Sequence, residues 1–216
     1  GIVVSKAGRS GTVMGFVDQK GERALYLNPG VNNSLEFGEI NLKYTADAGY
    51  LHLTSFAGQK PFDAQKKLVV SLPNVKVTLD PGMIYARKGW ARLEPLVRKC
   101  FAVFPNRGEL RILTGKDYRE GAEALLREGV EIVAVKLGSK GCYVTDGKES
   151  HLVKPYEVKV VDSTGAGDAF CAGFLYGLLK GKTLRECGLL SNFVASRVLT
   201  RMGARSGLPR MEDLPI

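Results

Sequence analysis

Hydrophobic positions along this chain fall into two kinds of segment that alternate from residue 50 onward. Short apolar runs such as CFAVF at 100–104 and IVAVKL at 132–137 are typical of strands buried on both faces. Longer segments between them carry apolar residues three and four positions apart, which indicates helices. Strands that alternate with helices of about ten residues predict βαβ units, and therefore an α/β fold with a mostly parallel sheet.

The same two patterns predict the individual strands and helices of this α/β region. We predict strands at residues 50–53, 76–79, 100–104, 132–137, 142–145 and 152–153. We predict helices at residues 62–72, 90–98, 117–127 and 184–199, and a further apolar helix whose first turn is Gly165–Gly167 and which stops at Gly181.

The first part of the chain breaks this rhythm. Residues 12–18 (TVMGFVD) and 23–27 (RALYL) are typical of two strands joined by the polar turn QKGE, where Gly21 can adopt a positive φ. A turn-rich segment then connects this hairpin to the larger body. We therefore predict a small β lid with its connection over residues 1–38, and an α/β core over residues 39–216.

Composition is that of an ordinary globular protein. The 216 residues are 44% hydrophobic and 25% charged. No apolar run approaches the ~20 residues that cross a bilayer, and the first residues lack a secretory core, so we expect a cytoplasmic protein without membrane partners. The net charge of +9 is scattered, with no five-residue basic run, which favours a solvated basic surface over nucleic-acid binding.

Cysteine and histidine usage argues against a metal framework. Four widely spaced cysteines without a CxxC pair indicate reduced, mostly buried thiols rather than disulfides or a zinc site. His52 lies in an apolar strand-like segment and is expected to be packed and hydrogen-bonded rather than a ligand.

The stretch DSTGAGDAF at 162–170 precedes the most apolar predicted helix. Gly165, Ala166 and Gly167 would form its first turn, where backbone N–H groups lack partners and carry partial positive charge. Because the glycines leave this backbone uncovered, the turn suits a phosphate or a developing oxyanion. A carboxylate beside it, Asp168, is useful if it removes a proton from an attacking hydroxyl. Helix starts also use Gly and Asp simply as caps, so both interpretations stay open on these residues alone.

Fourteen residues, DSTGAGDAFCAGFL, resemble position by position the C-terminal signature of the ribokinase-like (PfkB) sugar and nucleoside kinases. The resemblance implies a three-layer αβα fold with a small β lid and a nucleotide site in the core. It implies Asp168 as the catalytic base, and the backbone of Gly165, Ala166 and Gly167 as the anion hole for the transferred phosphoryl group.

The same resemblance extends to cations. It implies ATP with Mg²⁺, and K⁺ as a further candidate beside Asp162 and Thr164, with residues 200–209 resembling the loop that completes the cation site. Asn106 and Glu109 match the family's Asn-x-x-Glu element, which influences Mg²⁺ and phosphate binding, and Glu109 would reach Mg²⁺ through water. Judged without the resemblance, these two residues are better explained as a helix cap.

Further matches concern the nucleotide. The loop KLGSKG resembles the strand-end loop that contacts it, with Gly138 and Gly141 in the loop and with Lys136 or Lys140 facing phosphates. Asn192 lies on a predicted helix and resembles the asparagine that flanks the adenine, although helical asparagines are more often solvated or packed.

Other family elements are not matched. Asp80 stands at the first position of the Asp-x-Asn-x-Arg element of sugar-acid and fructose kinases, but the Asn and the Arg are replaced, so that specificity does not transfer. The opening strand, Gly-Gly element and Asn-bearing segment that hold the substrate have no counterpart. We therefore expect a chain without its first βαβ units, either a fragment or a natural short form.

These observations predict an ATP-dependent phosphotransferase that acts on a hydroxyl of a sugar, sugar acid or nucleoside. The expected partners are small molecules, with a homodimer through the lid as a candidate assembly. The alternative is a non-catalytic module of the same fold that binds a nucleotide or a sugar phosphate. A P-loop ATPase is excluded because no GxxxxGK[ST] occurs.

Overall fold

The computed structural model describes residues 2–18 and 23–215. Its strands are β1 Thr12–Val17, β2 Arg23–Asn28, β3 Tyr50–Thr54, β4 Lys76–Asp80, β5 Ala102–Val103, β6 Ile132–Lys136, β7 Cys142–Thr145 and β8 Ser150–Val153. Its α-helices are α1 Leu42–Ala46, α2 Gln59–Ser71, α3 Gly82–Ala86, α4 Trp90–Val97, α5 Arg107–Thr114, α6 Tyr118–Arg127, α7 Ala166–Leu179 and α8 Leu184–Leu199. Short 3₁₀ helices cover Gly30–Ser34, Phe37–Glu39, Gly138–Lys140 and Met211–Asp213.

The main sheet has six strands in the order β3-β4-β5-β6-β7-β8. Strands β3 to β6 are parallel, whereas β7 pairs antiparallel with both β6 and β8. Helices connect the parallel strands, and the short Gly138–Lys140 turn suffices between β6 and β7 because antiparallel neighbours need no crossover. The predicted α/β fold with a mostly parallel sheet is confirmed.

Side-chain alternation along the strands divides the core into two parts. One face of the sheet packs in a cluster with residues of α2 to α6, and β4 contributes Val77 and Leu79 to it. The other face packs against α7 and α8, where Phe104 meets Phe170 and Phe174. Because helices cover both faces, the structure has the three αβα layers that were predicted.

Several elements differ from the sequence-based prediction. Helices α1 and α3 were not predicted, because five residues are too few to show a helical period. The predicted strand 100–104 is reduced to β5, since Cys100 N–H donates to the Val97 carbonyl at 2.9 Å as the last turn of α4 ends. Helix α5 was also not predicted as a helix, although the sequence indicated a helix cap at its start.

The predicted N-terminal hairpin strands are present as a separate two-stranded sheet. Strands β1 and β2 are antiparallel, in a register that pairs Thr12 with Asn28. The turn with Gly21 lies outside the described residues. All of β1 is exposed, including the apolar Met14 and Phe16, so this unit has no packed layer of its own. Its role as a lid and the domain boundary at residue 38 stay predictions.

All four cysteines are buried free thiols, as predicted, and burial raises the pKa of Cys142 and of Cys187 to about 12. Within residues 2–18 and 23–215, no helix combines the length and apolar character of a membrane span.

Candidate active site

A cleft of about 600 Å³ lies at the carboxyl ends of the parallel strands, where open α/β sheets bind ligands. The first turns of α5 and α7 and the connection after β6 border it. Of the predicted site residues, the cleft is lined by Asn106, Glu109, Lys136, Gly138, Gly141, Gly165, Ala166, Gly167, Asp168 and Asn192. The chain thus brings together segments that are far apart in sequence.

Helix α7 presents an uncapped N-terminus to the cleft. Its N-cap is Gly165, which has a φ of +81° and makes no side-chain capping hydrogen bond. Ala166 N–H reaches the Ser163 carbonyl at 3.3 Å, and the next two N–H groups have no partner within the helix. Asp168 follows in the same first turn and is exposed. The turn can therefore offer backbone donors and a carboxylate side by side.

The close packing of α7 on α8 holds this turn in place. A Cβ added to Gly173 would lie 2.9 Å from Ser191 Cα, so only glycine permits the observed helix contact. A Cβ on Gly165 would lie 2.6 Å from the Cβ of Ala204. The glycine turn is thus held by the core behind it and by the loop beside it.

Asp162 organises the loop before the turn. Its Oδ1 accepts hydrogen bonds from Thr164 N at 2.9 Å and Thr164 Oγ1 at 2.7 Å, and its Oδ2 accepts one from Gly203 N at 2.8 Å. These contacts join the segment before α7 to the loop at 200–209. Asp162 and Thr164 stand beside the cleft rather than in its lining, and the K⁺ site stays a prediction.

Asn106 and Glu109 form a reciprocal cap at the start of α5. Asn106 Oδ1 accepts from Glu109 N at 2.9 Å, and Glu109 Oε2 accepts from Asn106 N at 2.8 Å. Glu109 is only 5% exposed, and its burial raises the pKa of its carboxyl. The cap indicated by the sequence is present, and Glu109 also lines the cleft.

No protein-only metal centre is evident around this cap. In the part of the chain that the structure describes, no three His, Cys, Asp or Glu side chains group together as metal ligands. The residues present fit Mg²⁺ as an ion carried by phosphates rather than by a set of protein ligands, and the water-mediated contact of Glu109 stays a prediction.

Lys136 forms a buried ion pair with Asp80, a partner that the sequence did not reveal. Lys136 Nζ lies 2.5 Å from Asp80 Oδ2, and the two side chains are 15% and 12% exposed. Burial alone would lower the pKa of Lys136, but the surrounding acidic groups, Asp80 among them, outweigh it and raise that pKa. A full positive charge therefore lies at the floor of the cleft.

The loop after β6 divides into lining and non-lining positions. Gly138 and Gly141 line the cleft, and both have positive φ, at +61° and +81°. Gly141 packs against the backbone of Val153, which a side chain would strike, so its size is explained by packing. Lys140 is exposed and absent from the lining, and its contact with phosphates stays a prediction.

Asn192 and His52 both make hydrogen bonds that join neighbouring elements of the fold. Asn192 Nδ2 donates to the carbonyls of Val153 at 3.1 Å and Lys154 at 2.9 Å, which ties α8 to the end of β8. Its predicted contact with adenine stays a prediction. His52 Nδ1 lies 2.9 Å from Thr78 Oγ1, and burial lowers its pKa, so the expectation of a packed, hydrogen-bonded histidine is confirmed.

The three-layer αβα fold, with an uncapped glycine turn at its carboxyl-end cleft, is similar to that of solved ribokinases, so the fold is ribokinase-like. The family model of the pfkB family carbohydrate kinases matches residues 1–211, and the chain belongs to that family.

Individual relatives agree with this assignment. An Archaeoglobus fulgidus protein named an uncharacterized sugar kinase is 47% identical over 214 residues, which are 98% of this chain and 85% of that protein. The cytidine kinase of Thermococcus kodakarensis is 34% identical, over 78% of this chain and 62% of that enzyme. The crystal structure of a Thermotoga maritima ribokinase superposes with a TM-score of 0.82 at 27% identity, over 95% of this chain and 68% of that one.

Proposed function

We propose that this chain transfers the γ-phosphoryl group of ATP to a hydroxyl of a sugar, sugar acid or nucleoside. The observation that carries the proposal is the start of α7, where uncapped backbone donors and the exposed carboxylate of Asp168 line one cleft. Phosphoryl transfer to a hydroxyl needs stabilisation of the transferring oxygens and a group that accepts the hydroxyl proton.

Each part of the turn has one role in this reaction. The substrate hydroxyl oxygen bonds to the γ-phosphorus while the bond from that phosphorus to the bridging oxygen breaks, and ADP leaves. The hydroxyl proton passes to the Asp168 carboxylate. The N–H groups of Gly165, Ala166 and Gly167 donate to the oxygens on which charge develops, and Ala166 N–H would exchange its 3.3 Å contact with the Ser163 carbonyl for this bond. Because the transition state is loose, a weak base is sufficient.

Cations would complete the charge balance. Glu109, at the start of α5, would contact the water shell of a Mg²⁺ ion, which would supply positive charge to offset that of the phosphates. We assign K⁺, if it is used, to the loop that Asp162 and Gly203 hold together. The substrate class follows the printed names of the relatives, which include a sugar kinase, a cytidine kinase and a ribokinase.

Asp168→Asn tests the proposal. We expect turnover to fall by about 10³-fold, because a positioned general base contributes roughly 10²–10⁴-fold, while ADP affinity changes little. Coupled ADP release with a panel of sugars, sugar acids and nucleosides measures turnover, and titration calorimetry measures ADP binding. Asp47→Asn, at an exposed aspartate outside the cleft lining, is the matched control.

Two results would speak against the proposal. Near wild-type turnover in Asp168→Asn would remove Asp168 as the base. Nucleotide binding by the wild-type chain without turnover on any acceptor would instead favour the non-catalytic binding module.

A further inference from the structure

The ion pair of Asp80 and Lys136 has a position that the fold explains. Asp80 ends β4 and Lys136 ends β6, with the short β5 between them. Val77 and Leu79 face the α2–α6 layer, so Asp80 faces the α7 layer by alternation, and its contact with Cys171 of α7 agrees. The same alternation places Val133 and Val135 of β6 on the first face and Lys136 on the second.

Asp80 is fixed from three sides. Its Oδ1 accepts from Gly82 N at 3.2 Å, and its Oδ2 accepts from Lys136 Nζ at 2.5 Å and from Cys171 Sγ at 3.5 Å. The carboxylate therefore cannot move without disturbing the turn after β4 and the first turns of α7. It holds the lysine ammonium at a defined point.

That point lies against the glycine turn. Lys136 Nζ is 3.6 Å from the position that a Cβ would take at Gly167. The absence of a side chain at Gly167 therefore leaves the ammonium close to the backbone donors of the proposed anion hole. An ammonium has three N–H donors, and Asp80 occupies one of them.

Stability alone is a weak reason for this pair. Removing two charges from water costs several kcal/mol per ion, and a well-packed apolar pair of similar volume stabilises a fold about as well. The positive charge that Lys136 brings to the cleft is a better explanation for the pair. Within the described residues, Lys136 is the one cationic side chain in the lining, beside the acidic Asp80, Glu109 and Asp168.

We propose that Lys136 contacts the γ-phosphate of the bound triphosphate, and that Asp80 is a positioning residue that holds Lys136 in place. The inference rests on the proposed function, because that function places the γ-phosphate at the glycine turn. It places Lys136 in contact with the phosphoryl group that is transferred rather than with the nucleotide in general. Asp80 contributes only by positioning Lys136.

Comparison of a triphosphate with a diphosphate tests the contact. Titration calorimetry in the presence of Mg²⁺ would use adenosine 5′-(β,γ-imido)triphosphate and ADP as probes. We expect Lys136→Met to weaken binding of the triphosphate analogue by about tenfold, the value of one charged hydrogen bond, and to leave ADP affinity within about twofold. Lys136→Arg, which keeps the charge, should recover part of the loss. Lys148→Met removes an exposed charge at the far end of β7 and serves as the control.

A double-mutant cycle tests the positioning role. Asp80→Asn should weaken binding of the triphosphate analogue less than Lys136→Met does. It should again leave ADP binding unchanged. The double variant Asp80→Asn/Lys136→Met should bind the analogue no more weakly than Lys136→Met alone, because Asp80 acts through the lysine. A further loss in the double variant would overturn the positioning role of Asp80. The double variant also removes both buried charges, so it provides the same measurement if Lys136→Met leaves Asp80 unpaired and fails to fold.

The outcomes separate this inference from the proposed function. If Lys136→Met loses affinity equally for the analogue and for ADP, or loses affinity for neither, the contact with the γ-phosphate is overturned. The ion pair of Asp80 and Lys136 would then have only a structural role. If the wild-type chain binds the analogue and Lys136→Met loses it selectively, but no acceptor is phosphorylated, the contact stands and the kinase proposal fails. If the wild-type chain binds neither probe, both fail.

Discussion

Helices α5 and α7 both begin at the cleft, but their first turns are built in opposite ways. In α5, Asn106 and Glu109 cap each other's backbone N–H groups at 2.9 and 2.8 Å. In α7, the N-cap is a glycine in the left-handed region with no side-chain cap. One helix start satisfies its own donors, and the other leaves donors for a ligand.

The difference shows how each helix is stabilised. Helix α5 is stabilised locally, by its cap and by an acidic residue in its first turn. Helix α7 also has an acidic residue, Asp168, in its first turn but lacks a side-chain cap, and it buries Phe170, Phe174 and its glycine contacts with α8 in the core. Because α7 buries these residues in the core, its first turn can remain without a cap. An uncapped start on a core helix is therefore a stronger sign of an anion site than a capped one.

The largest effect is expected from Gly165→Ala, which disturbs the uncapped start. The left-handed conformation costs an L-residue about 1–2 kcal/mol, and overlap with Ala204 adds to it, so we expect about 3 kcal/mol of lost stability and a large loss of turnover. Gly115→Ala is the control: it has a φ of +72° with nothing within 4 Å of the added Cβ, so it should lose only about 1 kcal/mol. Urea unfolding measures both. Equal losses would show that contact with Ala204 does not hold the turn.

A smaller effect is expected from Asn106→Ala at the capped start. Loss of the cap should cost about 1 kcal/mol of unfolding free energy. Thr183→Ala removes the N-cap of α8, which forms the same kind of box with Glu186 outside the cleft lining, and should cost a similar amount. If Asn106 and Glu109 also serve Mg²⁺, only Asn106→Ala should raise the Mg²⁺ concentration needed for half-maximal turnover. An unchanged Mg²⁺ requirement would leave this pair as a cap alone.

The smallest effect is expected from Glu109→Gln, which keeps an acceptor for Asn106 N–H and removes the ionisation. Burial raises the pKa of Glu109 in the folded chain above its ordinary value of 4.5. The folded state thus holds this proton more tightly than the unfolded chain, and the associated stability is present at low pH and lost as pH rises through the folded pKa. The stability of wild type relative to Glu109→Gln should therefore fall as pH rises from below 4.5 towards neutrality. Urea unfolding at a series of pH values measures this difference, and a difference independent of pH would contradict it.

Local signals account for what could be predicted from the sequence. The period of apolar residues predicted α8 at Leu184–Leu199, and the DSTGAGDAF stretch predicted the start of α7. These features depend on neighbours in the chain, which the sequence displays directly. The short helices α1 and α3 and the reduced β5 were missed or misjudged because their limits depend on contacts with other elements.

The alternation of strands and helices, the buried thiols and the residues of the glycine turn could be predicted from the sequence alone, since each follows from local spacing and polarity. The pairing of charges depends on the folded chain. Asp80 and Lys136 are 56 residues apart, and Asp162 and Gly203 are 41 apart. No local pattern links such positions, because the contact exists only after the parallel sheet has brought the ends of β4 and β6 under the first turn of α7.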